Sequence, residues 1–445
     1  MLLKKIFVIL MILTGIIRVN AQPVPEIIDL KKALNLAVRN SVNIQQSLLE
    51  EKKLRYRQQE AKGIGLPNIN ATGGFDDYVN LPTQLIPGDF FGQPGTMIPV
   101  QFGTTYNLSA SLSVSQILYN QVFIAALKMA KQAVEMGSLQ TEQAKTNLVL
   151  EAGKTYYATQ ITKIQINNIR NIQQKIEKSE KVAQSQYESG IIKKTDLDRF
   201  TVEKLNLMTE LDRLEVLYQQ ELSMEKYLMG MPQNQDFAFP DSVEMNVLPI
   251  LQKNLENHII LRLIGQSRKM AATNINMKRA EYFPTLNFIG STGYLNQSNT
   301  FYLFGKNTDW FNTSVIGLQL NVPVFDGFQK RSRVSESKVN LESLKISEED
   351  TKKRLLITSE DAERKFTTAI TAEQRQRENM KLAENVYAST QEQYQKGVIP
   401  LTDLLNVERA LSEAQTLHVT ALINLKIAEL DYLFANGILL NLLDQ

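Results

Sequence analysis

The chain of 445 residues contains no cysteine. That excludes disulfide staples, thiolate metal sites, thiol nucleophiles and an N-terminal lipidated cysteine. Histidine is nearly absent too, with only His258 and His418, far apart. A His-based metal site or a Ser-His-Asp triad would need one of them, so hydrolase and metalloenzyme readings start poorly. No cofactor is expected. Charge of one sign is also missing. The formal net charge of +2 includes Lys4, Lys5 and Arg18 in the first 21 residues, which carry no acid. Without them, 46 basic residues face 47 acidic ones. A nucleic-acid partner therefore has no electrostatic support.

Long hydrophobic runs are scarce as well. Residues 1–21 read as a signal peptide: a basic start, an apolar stretch of about a dozen residues, and Ala21 before Gln22 as a cleavage point. That stretch falls short of the ~20 apolar residues of a spanning helix. Nothing later approaches this length, so the exported chain is either soluble or held in a membrane as a β-barrel.

What the sequence does contain is a repeat. Tyr187-Glu188-Ser189-Gly190-Ile191-Ile192-Lys193-Lys194-Thr195-Asp196-Leu197 recurs 207 residues later as Tyr394-Gln395-Lys396-Gly397-Val398-Ile399-Pro400-Leu401-Thr402-Asp403-Leu404. The pattern Leu112 to Asn120 recurs at Leu318 to Asp326, and Pro67-Asn68-Ile69-Asn70 at Pro284-Thr285-Leu286-Asn287. The larger shift of the last pair puts an insertion of about 11 residues between Asn70 and Leu112. The expected layout is a first repeat over 22–231, a linker over 232–250, a second repeat over 251–435 and a tail over 436–445.

Within each repeat the hydrophobic period changes between about 3.5 and 2. Leu197, Phe200, Leu207, Leu211, Leu214 and Tyr218 form one seam, interrupted by Lys204. Leu404, Val407, Leu411, Ala414, His418, Ala421, Leu425, Ala428 and Tyr432 form its counterpart. Ala362, Phe366, Ala369, Met380, Ala383, Tyr387, Thr390 and Tyr394 share a heptad frame with Glu373 and Gln376. Such regular threes and fours are a coiled-coil signature. Helices are predicted over about 27–63, 121–188 and 195–230, then 251–282, 327–395 and 402–435. One helix per repeat would be on the order of 100 Å long, and two half-length helices end to end match it. His418 falls in the seam, and His258, which aligns with Ser41, reads as a helix-face residue.

Strands are predicted over about 68–81, 105–118, 285–295 and 310–324. Tyr106, Leu108, Ala110, Leu112 and Val114 alternate with Asn107, Ser109, Ser111 and Ser113; Trp310, Ile316, Leu318, Leu320 and Val322 alternate less strictly. Phe75, Tyr78, Phe301, Tyr302, Phe304, Trp310 and Phe311 cluster near strand ends, where an aromatic girdle would sit. Four strands cannot close a membrane barrel, which needs about eight at the least. They must be shared among copies, or lie outside a membrane.

Together these features resemble the TolC family of outer-membrane efflux proteins over essentially the whole exported chain. The resemblance rests on the two tips Tyr-x-x-Gly-x-x-x-x-Thr-Asp-Leu and the strand-to-helix signatures Gln116 to Asn120 and Val322 to Asp326. It implies an α+β membrane protein: a homotrimer whose twelve strands, four per chain, close one transmembrane β-barrel continuous with a long α-helical coiled-coil barrel. It implies residence in the cell outer membrane, with the helices in the periplasm. A periplasmic adaptor protein and an inner-membrane efflux pump or ABC exporter would be its partners. The chain would perform no chemistry and export small molecules passively. Export of a polypeptide by one-step secretion is the alternative, and a non-conducting secreted spacer is the alternative of another class.

The resemblance also assigns residues. Thr195, Asp196, Tyr394, Asp403 and Asn406 would form the periplasmic gate, and Tyr187, Gly190, Ile191, Gly397, Val398 and Ile399 the adaptor-docking tips. Pro67, Asn120, Pro284, Asp326 and Gly327 would mark the strand–helix junctions. The family's best-known member has an arginine at the position of Ile399 and a second aspartate at Asn406, so its latch is not carried over. The residues themselves allow Gly190 and Gly397 as left-handed helix ends and Thr195 and Thr402 as N-caps, Thr195 with Asp198 as a capping box. Asn120 and Asp326 could cap the long helices, and Pro67 and Pro284 end the short ones. Asp196 and Asp403 have two readings, a first-turn acid favoured by the helix dipole or a ring of negative charge at the entrance. The proline-rich loop Leu81 to Gly103 is expected outside the cell.

Overall fold

The computed structural model describes residues 26–240, 243, 255–301 and 309–444. The expected signal peptide lies outside the described residues, as do Tyr302 and Phe304. The described residues form two compact units, and neither coincides with a repeat: residues 26–44, 145–240, 243 and 357–444 make one, residues 45–144, 255–301 and 309–356 the other.

The first unit is helical. It holds α1 (Leu30–Asn40), the later part of α3 (Gln121–Glu188), α4 (Lys194–Leu228), the later part of α6 (Gln329–Gln395) and α7 (Leu401–Ala435). The two long helices run 68 and 67 residues with no proline inside. Inside α3, Gly153 lets Leu430 of α7 approach: an added Cβ would stand 3.0 Å from a Leu430 methyl. One core cluster joins Ile28, Leu34, Val149, Tyr156, Ile161, Phe366, Leu425 and Tyr432; Phe366 and Tyr432 stack with ring centroids 5.3 Å apart. A second lies beneath the helix ends and includes Ile176, Phe200, Tyr387, Tyr394, Leu404 and Leu411.

Several expectations change here. The first helix is interrupted at Ser41, separating α1 from α2 (Val42–Gly63), because Ser41 turns its hydroxyl to the Ile44 amide. Its counterpart His258 does the same at the start of α5 (Ile259–Ala280): it is the buried N-cap, Nδ1 accepting from the Ile260 amide, and not a helix-face residue. The helix expected from 251 therefore begins at 259, after a 3₁₀ turn at Leu255–Asn257; residues 251–254 lie outside the described residues. The expected linker is more than a linker. Its Phe237–Ala238 (β6) pairs in parallel with Glu26–Ile27 (β1), and Phe237 and Phe239 enter the core. The tail, too, packs: Leu439 is buried and Asn436 accepts a hydrogen bond from Ser359.

The second unit carries the sheet. Strands β2 (Asn68–Asp77), β5 (Tyr106–Asn120), β7 (Thr285–Ser298) and β8 (Trp310–Asn321) are antiparallel in the order β2-β5-β7-β8. Each repeat contributes a hairpin, and the β5–β7 pair joins them. The register puts Ile69, Leu112, Val114, Phe288, Ile316 and Leu318 on one face and Asn70, Thr72, Ser109, Ser111, Ser113 and Thr313 on the other. Hydroxyls pair across strands, Thr72 with Ser111 at 2.7 Å and Thr292 with Ser314 at 2.8 Å. The expected loop Leu81 to Gly103 is not a plain loop. It folds into a third hairpin, β3 (Thr83–Pro87) with β4 (Met97–Gln101), and these two strands, like β1 and β6, are additional to the four expected. Two prolines in its strands, Pro87 and Pro99, hid their alternation.

Candidate functional site: two unequal hairpin tips and a sheet with open edges

The two tips are built alike. After α3, Gly190 has φ +73°, its amide bonds the Tyr187 carbonyl at 2.9 Å, and the Ile191 amide reaches back to Gln186 at 2.8 Å. After α6, Gly397 has φ +72°, and the Gly397–Tyr394 and Val398–Gln393 bonds are both 2.9 Å. This is a Schellman end, and glycine is the residue that takes the left-handed position without strain. Ile191 and Val398, in equivalent places, are 72% and 70% exposed, while Ile192 and Ile399 turn inward against the second core cluster.

The helix starts differ from expectation by one residue. Lys193 and Pro400 are the N-caps, neither with a side-chain cap bond. Thr195 and Thr402 therefore sit inside the first turn and cap nothing; the Thr195–Asp198 capping box does not form. The Asp196 and Asp403 amides bond the Lys193 and Pro400 carbonyls, which places both carboxylates in the first turn, where the helix dipole favours them.

Beyond the shared backbone the tips diverge. Tyr187 is 39% exposed and Tyr394 only 4%. The Tyr394 hydroxyl donates to Gln186 Oε1 at 3.2 Å, joining the second tip to the end of α3. Burial first, and then the nearby Asp196 carboxylate, raise the Tyr394 phenol above its usual range. Asp196 also faces Arg199 at 3.9 Å, whereas Asp403 is exposed. Between α4 and α7 runs a cleft of about 520 Å³ lined by Thr195, Arg199, Val202, Thr402, Asn406 and Arg409, among others. Of the expected gate residues, the structure thus brings Asp196 to Tyr394, and Thr195 to Asn406.

Just behind the tips lies a cluster that the sequence reading passed over. Glu408 is buried, with Oε1 lacking a hydrogen-bond partner. Burial and then the charge of Glu203 push its carboxyl up to about 7, with Lys175 acting in opposition. Glu203 itself pairs with Arg409 at 3.4 Å, and Lys175 lies 4.9 Å over the Tyr387 ring. The cluster draws on α3, α4, α6 and α7. Glu408 falls outside the Leu404 seam because α7 is buried along a second stripe, Leu401, Glu408, Leu422, Lys426, Glu429 and Leu433. His418, by contrast, sits in the seam and faces Glu373 at 3.2 Å, which Arg377 also holds.

The sheet of the second unit is the other part of the candidate site. Asn120 Oδ1 accepts from the Phe123 amide at 3.1 Å, and Asp326 Oδ2 from the Lys330 amide at 2.9 Å, so both long helices are capped where strand becomes helix. Gly327 (φ +65°) and Phe328 (φ +66°) make the second junction tighter than the first. Pro67 and Pro284 stand immediately before β2 and β7. By register, Tyr119, Tyr282, Phe283, Phe325 and Phe328 lie at the junction end of the sheet, all exposed. Phe75, Tyr106 and Phe301 cluster at the far end, with Phe75 and Tyr106 stacked 6.3 Å apart. The apolar face between is bare: Ile316 is 81% exposed. Strands β2 and β8 pair on one side only. Among the described residues no helix is long and apolar enough to cross a membrane, and no three His, Asp or Glu side chains cluster to hold a metal.

Residues 33–221 and 250–433 match the family model described as outer membrane efflux protein. No curated protein sequence matches significantly. Among solved structures, CusC superposes with a TM-score of 0.75 at 14% identity, covering 92% of each chain. VceC from Vibrio cholerae gives 0.70 at 13%, covering 92% of this chain and 96% of its own. The open state of the MtrE outer membrane channel from Neisseria gonorrhoeae gives 0.71 at 15%, covering 92% and 89%.

Proposed function

Because the chain belongs to the outer membrane efflux protein family, we propose that it is the outer-membrane exit duct of a tripartite efflux system, passively passing small molecules handed on by an inner-membrane pump and a periplasmic adaptor. The observation that carries this reading is the sheet: four strands with both edges open and a bare apolar face bounded at each end by aromatic rings. Left alone, such edges and such a face would aggregate. Three copies pairing β8 of one with β2 of the next give a closed twelve-stranded barrel. Every backbone group is then paired, as hydrocarbon requires. The belts at the two ends match the interfacial girdles of membrane barrels.

The tips supply the entrance of the duct. Exposed Ile191 and Val398 are suited to dock an adaptor, and the Asp196–Tyr394–Gln186 contacts to hold the entrance shut until docking splays them. Threefold repetition of Asp196 and Asp403 makes an acidic ring that favours cations at the entrance. The test is single-channel recording of the detergent-extracted mature protein in a planar bilayer, beside the double variant Asp196→Ala, Asp403→Ala. Discrete, long-lived conductance steps are expected, larger or more frequent in the variant. Silence from both would overturn the duct.

A further inference from the structure

Among the described residues the β3/β4 hairpin has no counterpart in the second repeat, and the duct has no use for it. Residues 78–105 contain one charged side chain, Asp89, and no lysine or arginine. The pairing Leu85↔Pro99, Pro87↔Met97 and Ile86↔Ile98 sorts its residues onto two faces. The Ile86/Ile98 face is half-buried. The other, Leu85, Pro87, Met97 and Pro99, is exposed, and it continues into Phe90 and Phe91 at the hairpin end, where Phe90 is 82% exposed. A lone two-stranded hairpin is marginal in water and needs a surface to lie on.

Two occupants can be weighed. Hydrocarbon is disfavoured, since both outer edges of the hairpin present unpaired backbone groups that lipid cannot satisfy. Lipid phosphates are disfavoured as well, because the segment offers no cation. A second copy of the same hairpin fits better: the face is uncharged, so identical copies meet without repulsion. Connectivity agrees. The hairpin grows between β2 and β5, and β2 is the open edge where copies would join. We infer that the Leu85/Met97 face and Phe90 of each hairpin pack against the hairpins of neighbouring copies, forming a three-part cap at the end of the barrel remote from the helix junctions. The inference rests on the shared-barrel reading.

The absence of native cysteine makes the test direct. Phe90→Cys, Met97→Cys and, on the opposite face, Gln84→Cys are each introduced into the full chain, extracted in detergent and treated with a short bis-maleimide. Around a threefold axis a single cysteine joins copies only in pairs, so dimer bands approaching about two thirds of the chain are expected for Phe90→Cys and Met97→Cys. Gln84→Cys should stay monomeric on denaturing gels. A native trimer without these dimers would overturn the cap while leaving the shared barrel standing. A chain that never assembles would overturn both. A second readout needs no cysteine: replacing residues 82–102 by a short glycine–asparagine turn should raise the unit conductance, and an unchanged conductance would overturn the cap.

Discussion

Single positions carry sharp expectations. Gly190 and Gly397 hold left-handed backbone at the two tips, so alanine at either should cost about 1 kcal/mol locally. Hydrogen exchange of the Ile191 and Val398 amides, whose bonds close the two Schellman ends, should speed up accordingly. Glu225 is a different case. It is fully buried, both its carboxylate oxygens lack partners, and burial pushes its carboxyl up to about 8. A folded-state value above the unfolded one means that the native chain keeps a proton the unfolded chain has released. Stability should therefore fall as pH rises from about 4.5 to about 8, by on the order of 5 kcal/mol, and level off above. Glu225→Gln should remove most of that slope, with thermal melts at pH 6 and pH 9 converging. Glu225 was legible, because it continues the seam Leu197, Lys204, Leu211, Tyr218 by one further heptad. Past Tyr218, a carboxylate at this seam position gives no apolar signal of burial.

At the scale of elements, the strand-to-helix junctions and the long helices were readable from spacing, since proline, capping side chains and the 3.5 period act over a few residues. What spacing missed was decided partly by local backbone bonds and partly by contacts distant in sequence. The helix starts at Lys194 and Leu401 precede the threonines because backbone carbonyls satisfy the first turn without a side chain. The second buried stripe of α7 exists because that helix is flanked on two sides, and a one-seam pattern cannot express that. Sheet and tips can be tested separately. Ile316→Lys, on the bare face, should destabilise membrane-folded protein by about 2–4 kcal/mol if it lies near mid-bilayer, measured by denaturant titration in lipid. Ile191→Asp with Val398→Asp should abolish efflux in cells yet leave the single-channel conductance of the purified protein unchanged. Loss of both activities would mean that the tips hold the fold rather than the partner.

For the whole molecule, the expectation is three copies in detergent by light scattering. Dissociation should be little affected by salt, since Asp76 and Asp77 at the end of β2 are the only charges on the two edge strands. The duplication was plain in the sequence, yet the compact units cut across it, each drawing on both repeats. A tandem copy need not fold as a tandem domain when each half leaves a sheet edge and helix faces that only the other can cover.

One consequence of the tips concerns stoichiometry. Tyr394 is buried and tied to Gln186, while Tyr187 stands in solvent, so the copies of the motif are unlike despite their shared backbone. Three chains would present six tips as two alternating kinds. A partner binding in six copies would then occupy two classes of site, and its calorimetric isotherm should resolve two steps of three. Equal tips would give one.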